Sequence, residues 1–261
     1  MKKGVKTRAP ESYRIRSYRS LASEEELVST FFKLKETDLH ILAARDVADE
    51  ASELATRYRL QIESYLAGHP EFGTALTPLE PDELAPPVVS RMLAAALEAG
   101  VGPMAAVAGG IAESVGRGLL EGGLEEIIVE NGGDIFLNRS SELTVSVYAG
   151  QSPLSNRLGL KIMPDQMPLG ICTSSGTVGH SLSFGLADSV TVLADSAYVA
   201  DAAATRLGNE VGSAGESARG IDRALEVAAS MPLLRGVLIV CGETIGAVGD
   251  IELTPLSGDN E

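Results

Sequence analysis

Residues 172–181 read CTSSGTVGHS, bringing a thiol, a run of hydroxyls, two glycines and one of the chain's three histidines within ten positions. Three chemistries are open to such a stretch. Ser174 or Ser175 could act as a nucleophile with His180 as its base and Asp188 as orienter, but no G-x-S-x-G elbow surrounds either serine. Cys172 could be a reactive thiol if neighbouring N–H donors lowered its pKa; the alternative is that it forms the buried end of a strand. Hydroxyls beside glycine also make a cradle for phosphate, and by chemistry this suits the stretch better than a triad does.

Two further groups carry oxygen ligands. Asp201 and Thr205 are four residues apart in SAYVADAAATRLG, so on a helix they share a face. A carboxylate and a hydroxyl at that spacing suit Mg²⁺, which prefers oxygen and keeps waters for itself and its substrate's phosphates. The alternative is a threonine bonded back to its own helix and a solvated aspartate. Glu130, Asn131, Gly132, Gly133 and Asp134 stand between two strand-like runs, where Asn-Gly and Gly-Gly supply the positive φ of a tight turn. The same glycines would admit a phosphate or a ring, with Glu130 or Asp134 giving oxygens. Gly100 to Ala105 matches G-x-G-x-x-A, but a helix precedes it where the dinucleotide fingerprint needs a strand.

These groups need elements to hold them. Alternation in YRIRSYRS and STFFKLKETDLHILAA predicts strands over the basic first part of the chain, to about residue 45, with a turn near Lys35 to Asp38. Helical spacing runs from Asp46 to about Ala67. A Pro- and Gly-rich crossing follows over about 68–87. Helices are expected from Pro87 to Ala99, closed by Gly100, and from Pro103 through MAAVAGGIAESVGRGLL, whose small residues allow close backbone approach. Strands are expected in EEIIVE, DIFL, LTVSVYAG, RLGLKI, DSVTVLAD, GVLIVCGE and TIGAVGDIEL. SAYVADAAATRLG should be a helix closed by Gly208, with another helix near Asp222 to Ala229. The expected class is α/β or α+β, a mixed sheet with packed helices in one domain over residues 1–261.

Composition narrows the function. The chain carries a net charge of −15, yet its first twenty residues hold seven Lys or Arg against one Glu. An acidic body argues against nucleic acid as partner, since phosphate neutralisation needs a broad basic face. The two cysteines, Cys172 and Cys241, form no C-x-x-C and read as reduced thiols. With neither a signal-type apolar segment nor a membrane-length apolar run, a cytoplasmic protein without a membrane partner is expected. A homo-oligomer is compatible with these features.

The order of the motifs is itself informative. GGIAESVGRGLL, ENGGDI, TSSG, a histidine, SVTVLADSA and ADAAAT together resemble the ApbE superfamily of FAD:protein FMN transferases over roughly residues 100–210. More closely, VGPMAAVAGGIAE, VENGGDIFL and GICTSSGTVGHSLSFGLADSV resemble an ApbE-related family of archaea and anaerobic bacteria across nearly the whole chain. The resemblance implies an ApbE-like, T-fold-like architecture and a phosphate-bearing ligand, FAD or FMN, beside Mg²⁺. It places the metal on Asp201 and Thr205. It places the flavin near Asn131, Gly132, Gly133 and Asp134 and near Thr173, Ser174, Ser175 and Gly176, with His180 matching the histidine of H-x-x-D-P. Ser183 stands where that motif has Asp, the following P-R-T-G is missing, and Glu113 lies near the position of the transferases' helix lysine. An enzyme of this kind would be a Mg²⁺-dependent transferase. The alternative is a cysteine-dependent enzyme or carrier in anaerobic sulfur assimilation and homocysteine formation, with Cys172 as the working thiol; Cys172 and His180 are the candidate catalytic residues.

Overall fold

A computed structural model describes residues 27–176, 187–212 and 217–256. The expected strand YRIRSYRS, most of the basic first part of the chain, and His180 lie outside the described residues. The first described elements are a hairpin, β1 (Val28–Leu34) and β2 (Thr37–Ala43), turning at Lys35 with φ 53°. Four helices follow: α1 (Ala48–Gly68), the short α2 (Pro70–Thr74) inside the expected crossing, α3 (Pro87–Ala99) and α4 (Val107–Glu121). Gly100 closes α3 in the left-handed conformation, φ 72°, its amide bonded to the last carbonyls as such a cap requires. A 3₁₀ turn, Pro103–Ala106, leads into α4.

The strands β3 (Ile127–Asn131), β4 (Asp134–Asn138), β5 (Leu143–Ser146), β6 (Leu158–Ile162), β7 (Leu169–Ser174) and β8 (Ser189–Ala194) come next. They are followed by α5 (Ala197–Val211), α6 (Ser217–Ala229), β9 (Leu234–Cys241), β10 (Thr244–Gly249) and β11 (Leu253–Pro255). Among the described residues eight strands form one sheet in the order β1-β2-β3-β4-β7-β8-β9-β10, and a second sheet reads β11-β6-β5.

The large sheet has two buried faces, and period-two alternation assigns residues to each. One face carries Ile41, Val129, Phe136, Val190, Val192 and Ile239 and packs under the helices. The other carries Ile128, Leu137, Ile171, Leu193 and Leu238 and packs on the small sheet through Val147, Leu160 and Ile162. Helix α5 lies closest of all. Its Ala197, Ala200, Ala202, Ala203 and Ala204 are all buried, and a Cβ on Gly170 of β7 would come 2.4 Å from the Ala197 Cα. Alanine on the helix and glycine on the strand are what allow that approach.

The α+β class stands, with three differences in detail. Every strand pair in both sheets is antiparallel, where mixed pairing was expected. A lone crossover helix returns the chain for a parallel strand, whereas α5 and α6 come as a pair between β8 and β9 and deliver it for an antiparallel one. Gly208 does not end α5 but is buried within it, because the apolar face continues through Leu207 to Val211. TIGAVGDIEL is not one strand: it breaks at Gly249, φ 80°, into β10 and β11 of different sheets.

Candidate functional site

Four elements converge on one patch of the helix-covered face: the start of β4, the end of β7, the first turn of α4 and the second turn of α5. The β3–β4 turn is a two-residue hairpin in which Asn131 pairs with Asp134 and both glycines have positive φ, 71° at Gly132 and 108° at Gly133. The sequence Asn-Gly-Gly is therefore required by the backbone here. A Cβ on either glycine would meet nothing within 4 Å, so the turn is also open to its surroundings. Asn131 ties β3 to its neighbours: its Oδ1 accepts from the Asp38 N–H at 3.2 Å and its Nδ2 donates to the Ala108 carbonyl at 3.0 Å. The Glu130 carboxylate accepts the Gly133 N–H at 2.7 Å, on the strand face away from the helices.

Asp134 points the other way, under the helices. It is buried, and its Oδ1 accepts the Thr173 N–H of β7 at 3.1 Å. Asp201 approaches the same region from α5, its Oδ2 accepting the Gly109 N–H at 2.9 Å. Gly109 is the third residue of α4, so Asp201 supplies an acceptor to amides that a helix N-terminus leaves free. Burial, and then the charge of Asp201's neighbour Asp134, push the Asp201 carboxyl well above the usual carboxylate range. Burial likewise raises Asp134, to about 7, with Glu130 adding to the rise. Among the described residues no lysine or arginine acts on either carboxylate. A buried and a part-buried carboxylate that repel one another, without a cationic partner among the described residues, suit either a shared proton or a bound cation.

Cys172 lies between these acids. It is fully buried, and its thiol donates to the Ala197 carbonyl at 3.4 Å. Burial pushes its pKa well up, and the carboxylates of Asp134 and Asp201 push it further. That is the reverse of the cationic setting that activates a thiolate. Two residues on, Ser174 ends β7 on the same face, and its buried Oγ has no hydrogen-bond partner among the described residues. A buried hydroxyl left unpaired costs about 1–3 kcal/mol and asks for an explanation. Thr173, on the opposite face, bonds instead to Thr191 at 3.0 Å. Ser175 and Gly176 follow β7 directly, the Gly176 N–H donating to the Ala187 carbonyl at 3.0 Å.

The structure thus brings together Asp134, Asp201, Cys172 and Ser174, with half-buried Thr205 one turn beyond Asp201 on α5. It turns Thr173 and Glu130 to the other face. Among the described residues no three His, Cys, Asp or Glu side chains come together as a metal cage. A cation held here would complete its shell with water and ligand oxygens, as Mg²⁺ does. The tight turn into this helix was expected to aim free N–H groups at an anion; that Asp201 of α5 is their acceptor was not read from the sequence, although the glycine pair in VAGGIAE marked where a neighbour could come close. A cavity of about 950 Å³ lies elsewhere, along α1 between Asp49 and His69, and none of these site residues lines it.

Comparison with known proteins bears on the family and the fold. The family model described as "AbpE bacteria" matches residues 19–242. The chain belongs to this family. A UPF0280 protein of Methanosarcina acetivorans is 41% identical over 225 residues, covering 86% of this chain and 87% of the relative. A UPF0280 protein of Methanococcus maripaludis is 46% identical over 195 residues, covering 74% and 78%. Among solved structures, the apo form of the Pseudomonas stutzeri flavinyl transferase ApbE aligns with a TM-score of 0.50 at 12% identity, over 85% of this chain and 94% of that one. At that identity the likeness is one of fold. The AbpE family chain therefore has the ApbE architecture expected from its motifs.

Proposed function

We propose that this AbpE family protein binds a flavin nucleotide, FAD or FMN, through its phosphates beside a divalent cation held by Asp201 and Thr205. The observation that carries the reading is the pairing of buried Asp134 with part-buried Asp201, with no Lys or Arg among the described residues acting on either. The donors fit Mg²⁺: Asp201 brings a carboxylate to the start of α4, and Thr205 adds a hydroxyl at helical spacing. When bound, the cation would neutralise the paired carboxylates and draw phosphate oxygens to them.

The other parts follow from the same geometry. The open Asn131-Gly132-Gly133-Asp134 turn and the Thr173-Ser174-Ser175-Gly176 stretch flank the acids and would cradle the nucleotide. The Ser174 hydroxyl, unpaired among the described residues, supports this, since a ligand oxygen would give it a partner. His180 belongs to the same reading by its sequence position. The proposal is binding in the cytoplasm, and stops short of flavin transfer to a protein. Ser183 replaces the Asp of H-x-x-D-P, and Glu113 occupies the helix where the transferases have a lysine. Electrostatic stabilisation of a phosphoryl-type transfer depends on such groups. The sulfur reading is not carried forward, because the setting of Cys172 disfavours its thiolate.

Thermal unfolding with FAD and Mg²⁺ tests the proposal. At a hundred times Kd a ligand stabilises by about 2.7 kcal/mol, or roughly 5–10 °C in Tm for a chain of this size. The expected result is a rise with FAD that needs Mg²⁺. No shift with FAD, FMN or any other nucleotide, with or without Mg²⁺, would sink it.

A further inference from the structure

Helices α4 and α5 cap one another. Neither has a side-chain cap of its own: Ala106 before α4 and Ser196 before α5 make no capping bond to their own helices. Each borrows a carboxylate from the other. Asp201 of α5 accepts the Gly109 N–H in the first turn of α4. Glu113 of α4 accepts the N–H of Ala197, the first residue of α5, at 2.7 Å through Oε2, and the same oxygen takes the Ser196 hydroxyl at 2.8 Å. Gly109 and Glu113 are four apart, as are Ala197 and Asp201, so one face of each helix holds both members of the exchange.

The exchange leaves little freedom. A Cβ on Gly109 would lie 2.3 Å from the Ala197 carbonyl oxygen and 2.9 Å from Asp201 Cβ. A Cβ on the next residue, Gly110, would meet the Tyr198 ring, and the Tyr198 hydroxyl bonds to Ser114. Glu113 is itself held: it is 3% exposed, and its Oε1 accepts from Arg117 Nε at 2.7 Å. Its charge lies at the positive end of the α5 dipole, where a carboxylate is favoured.

From this reciprocal capping we infer that Glu113 is a positioning residue for Asp201: by anchoring the start of α5 it sets where the Asp201 carboxylate meets α4 and any cation. Residues that orient a ligand in this way change metal affinity without touching the metal. The metal arm of the test rests on the proposed role of Asp201, and the amide arm does not.

The test compares wild type, Glu113→Gln and the control Arg117→Gln, which leaves the Ala197 contact in place. Amide hydrogen exchange at Gly109, read by NMR, reports the Asp201 contact, with Val192 and Val237 in the central sheet as references. In Glu113→Gln we expect Gly109 to exchange roughly tenfold faster while Val192 and Val237 keep wild-type rates. Mg²⁺ affinity, read from Tm against Mg²⁺ concentration, should weaken roughly tenfold. Arg117→Gln should change both far less. A wild-type rate at Gly109, or an equal acceleration at all three amides, overturns the inference whatever Mg²⁺ does. If the wild-type chain itself shows no Mg²⁺ response, the metal reading falls and Gly109 still decides the role of Glu113. Should Glu113→Gln fail to fold, Ser196→Ala removes one donor to the same oxygen and should accelerate Gly109 in the same direction by a smaller factor; no acceleration there overturns the inference.

Discussion

A carboxylate, a hydroxyl and a thiol within one buried patch respond differently to the same surroundings, and each response can be measured. Asp134 has its folded-state pKa raised to about 7, above the ~3.9 of an unfolded aspartate, so the folded chain holds a proton that the unfolded chain releases. Its contribution to stability is present below about pH 4 and is lost as pH rises toward 7. The carboxylates lowered by their partners, Glu36, Glu50, Glu63, Asp82 and Glu126, lose their contributions only as pH falls below ~4.5, outside that window. Tm of the metal-free protein should therefore fall between pH 5 and 7.5, and Asp134→Asn should flatten that slope. Saturating Mg²⁺ should flatten it too. Asp201→Asn should abolish the Mg²⁺-linked rise in Tm; an undiminished rise would remove the cation from this site. Ser174→Ala deletes an unpaired buried hydroxyl, so it should leave the free protein as stable or up to about 1 kcal/mol more stable while weakening FAD binding. Differential scanning fluorimetry with and without FAD reads both effects.

Among the elements, α4 and α5 approach closely, and glycine makes it possible. Gly109→Ala puts a methyl into the Ala197 carbonyl, where backbone must move, and should cost roughly 2 kcal/mol or more in chemical denaturation. A Gly123→Ala substitution would meet nothing within 4 Å but would sit at φ 100°, so its cost would be one of conformation rather than packing. Much of this level was legible in the sequence. The start of α3 at Pro87, its end at Gly100 and the Asn-Gly-Gly turn follow from local rules of φ and capping. The end of α5 was not legible, because a buried apolar face overrode a glycine stop signal at Gly208. Within the site, Asp134, Ser174 and Asp201 were named from their motifs. Their convergence was hidden, since Asp201 reaches Gly109 across 92 residues and Thr173 reaches Asp134 across 39. No periodicity carries information over such distances. Glu113 stood out in the sequence as a departure from the transferases; its use as a cap for another helix needed the fold.

Across the whole molecule, the large sheet shields its chemistry on both sides. Cys172 faces the helices with no exposed surface, whereas Cys241, at the end of β9, is only partly covered. A thiol reagent applied to the native chain should label Cys241 first and Cys172 only on unfolding. Fast native labelling of Cys172 would contradict the closed packing around it. No single helix among the described residues is long and apolar enough to cross a membrane, and the long apolar stretches are accounted for by two cores. The pairing of β4 with β7 steps over β5 and β6, which belong to the smaller sheet. Seen as a sequence of events, that pairing is a long-range closure, and Asp134 gains its Thr173 partner only after it. Asp201 must travel farther still. Helices and hairpins can form from neighbours, but the acidic pair is assembled by the late, distant contacts. A refolding chain should recover its helical circular dichroism before its response to Mg²⁺, so the ability to bind would serve as a clock for the last step of folding.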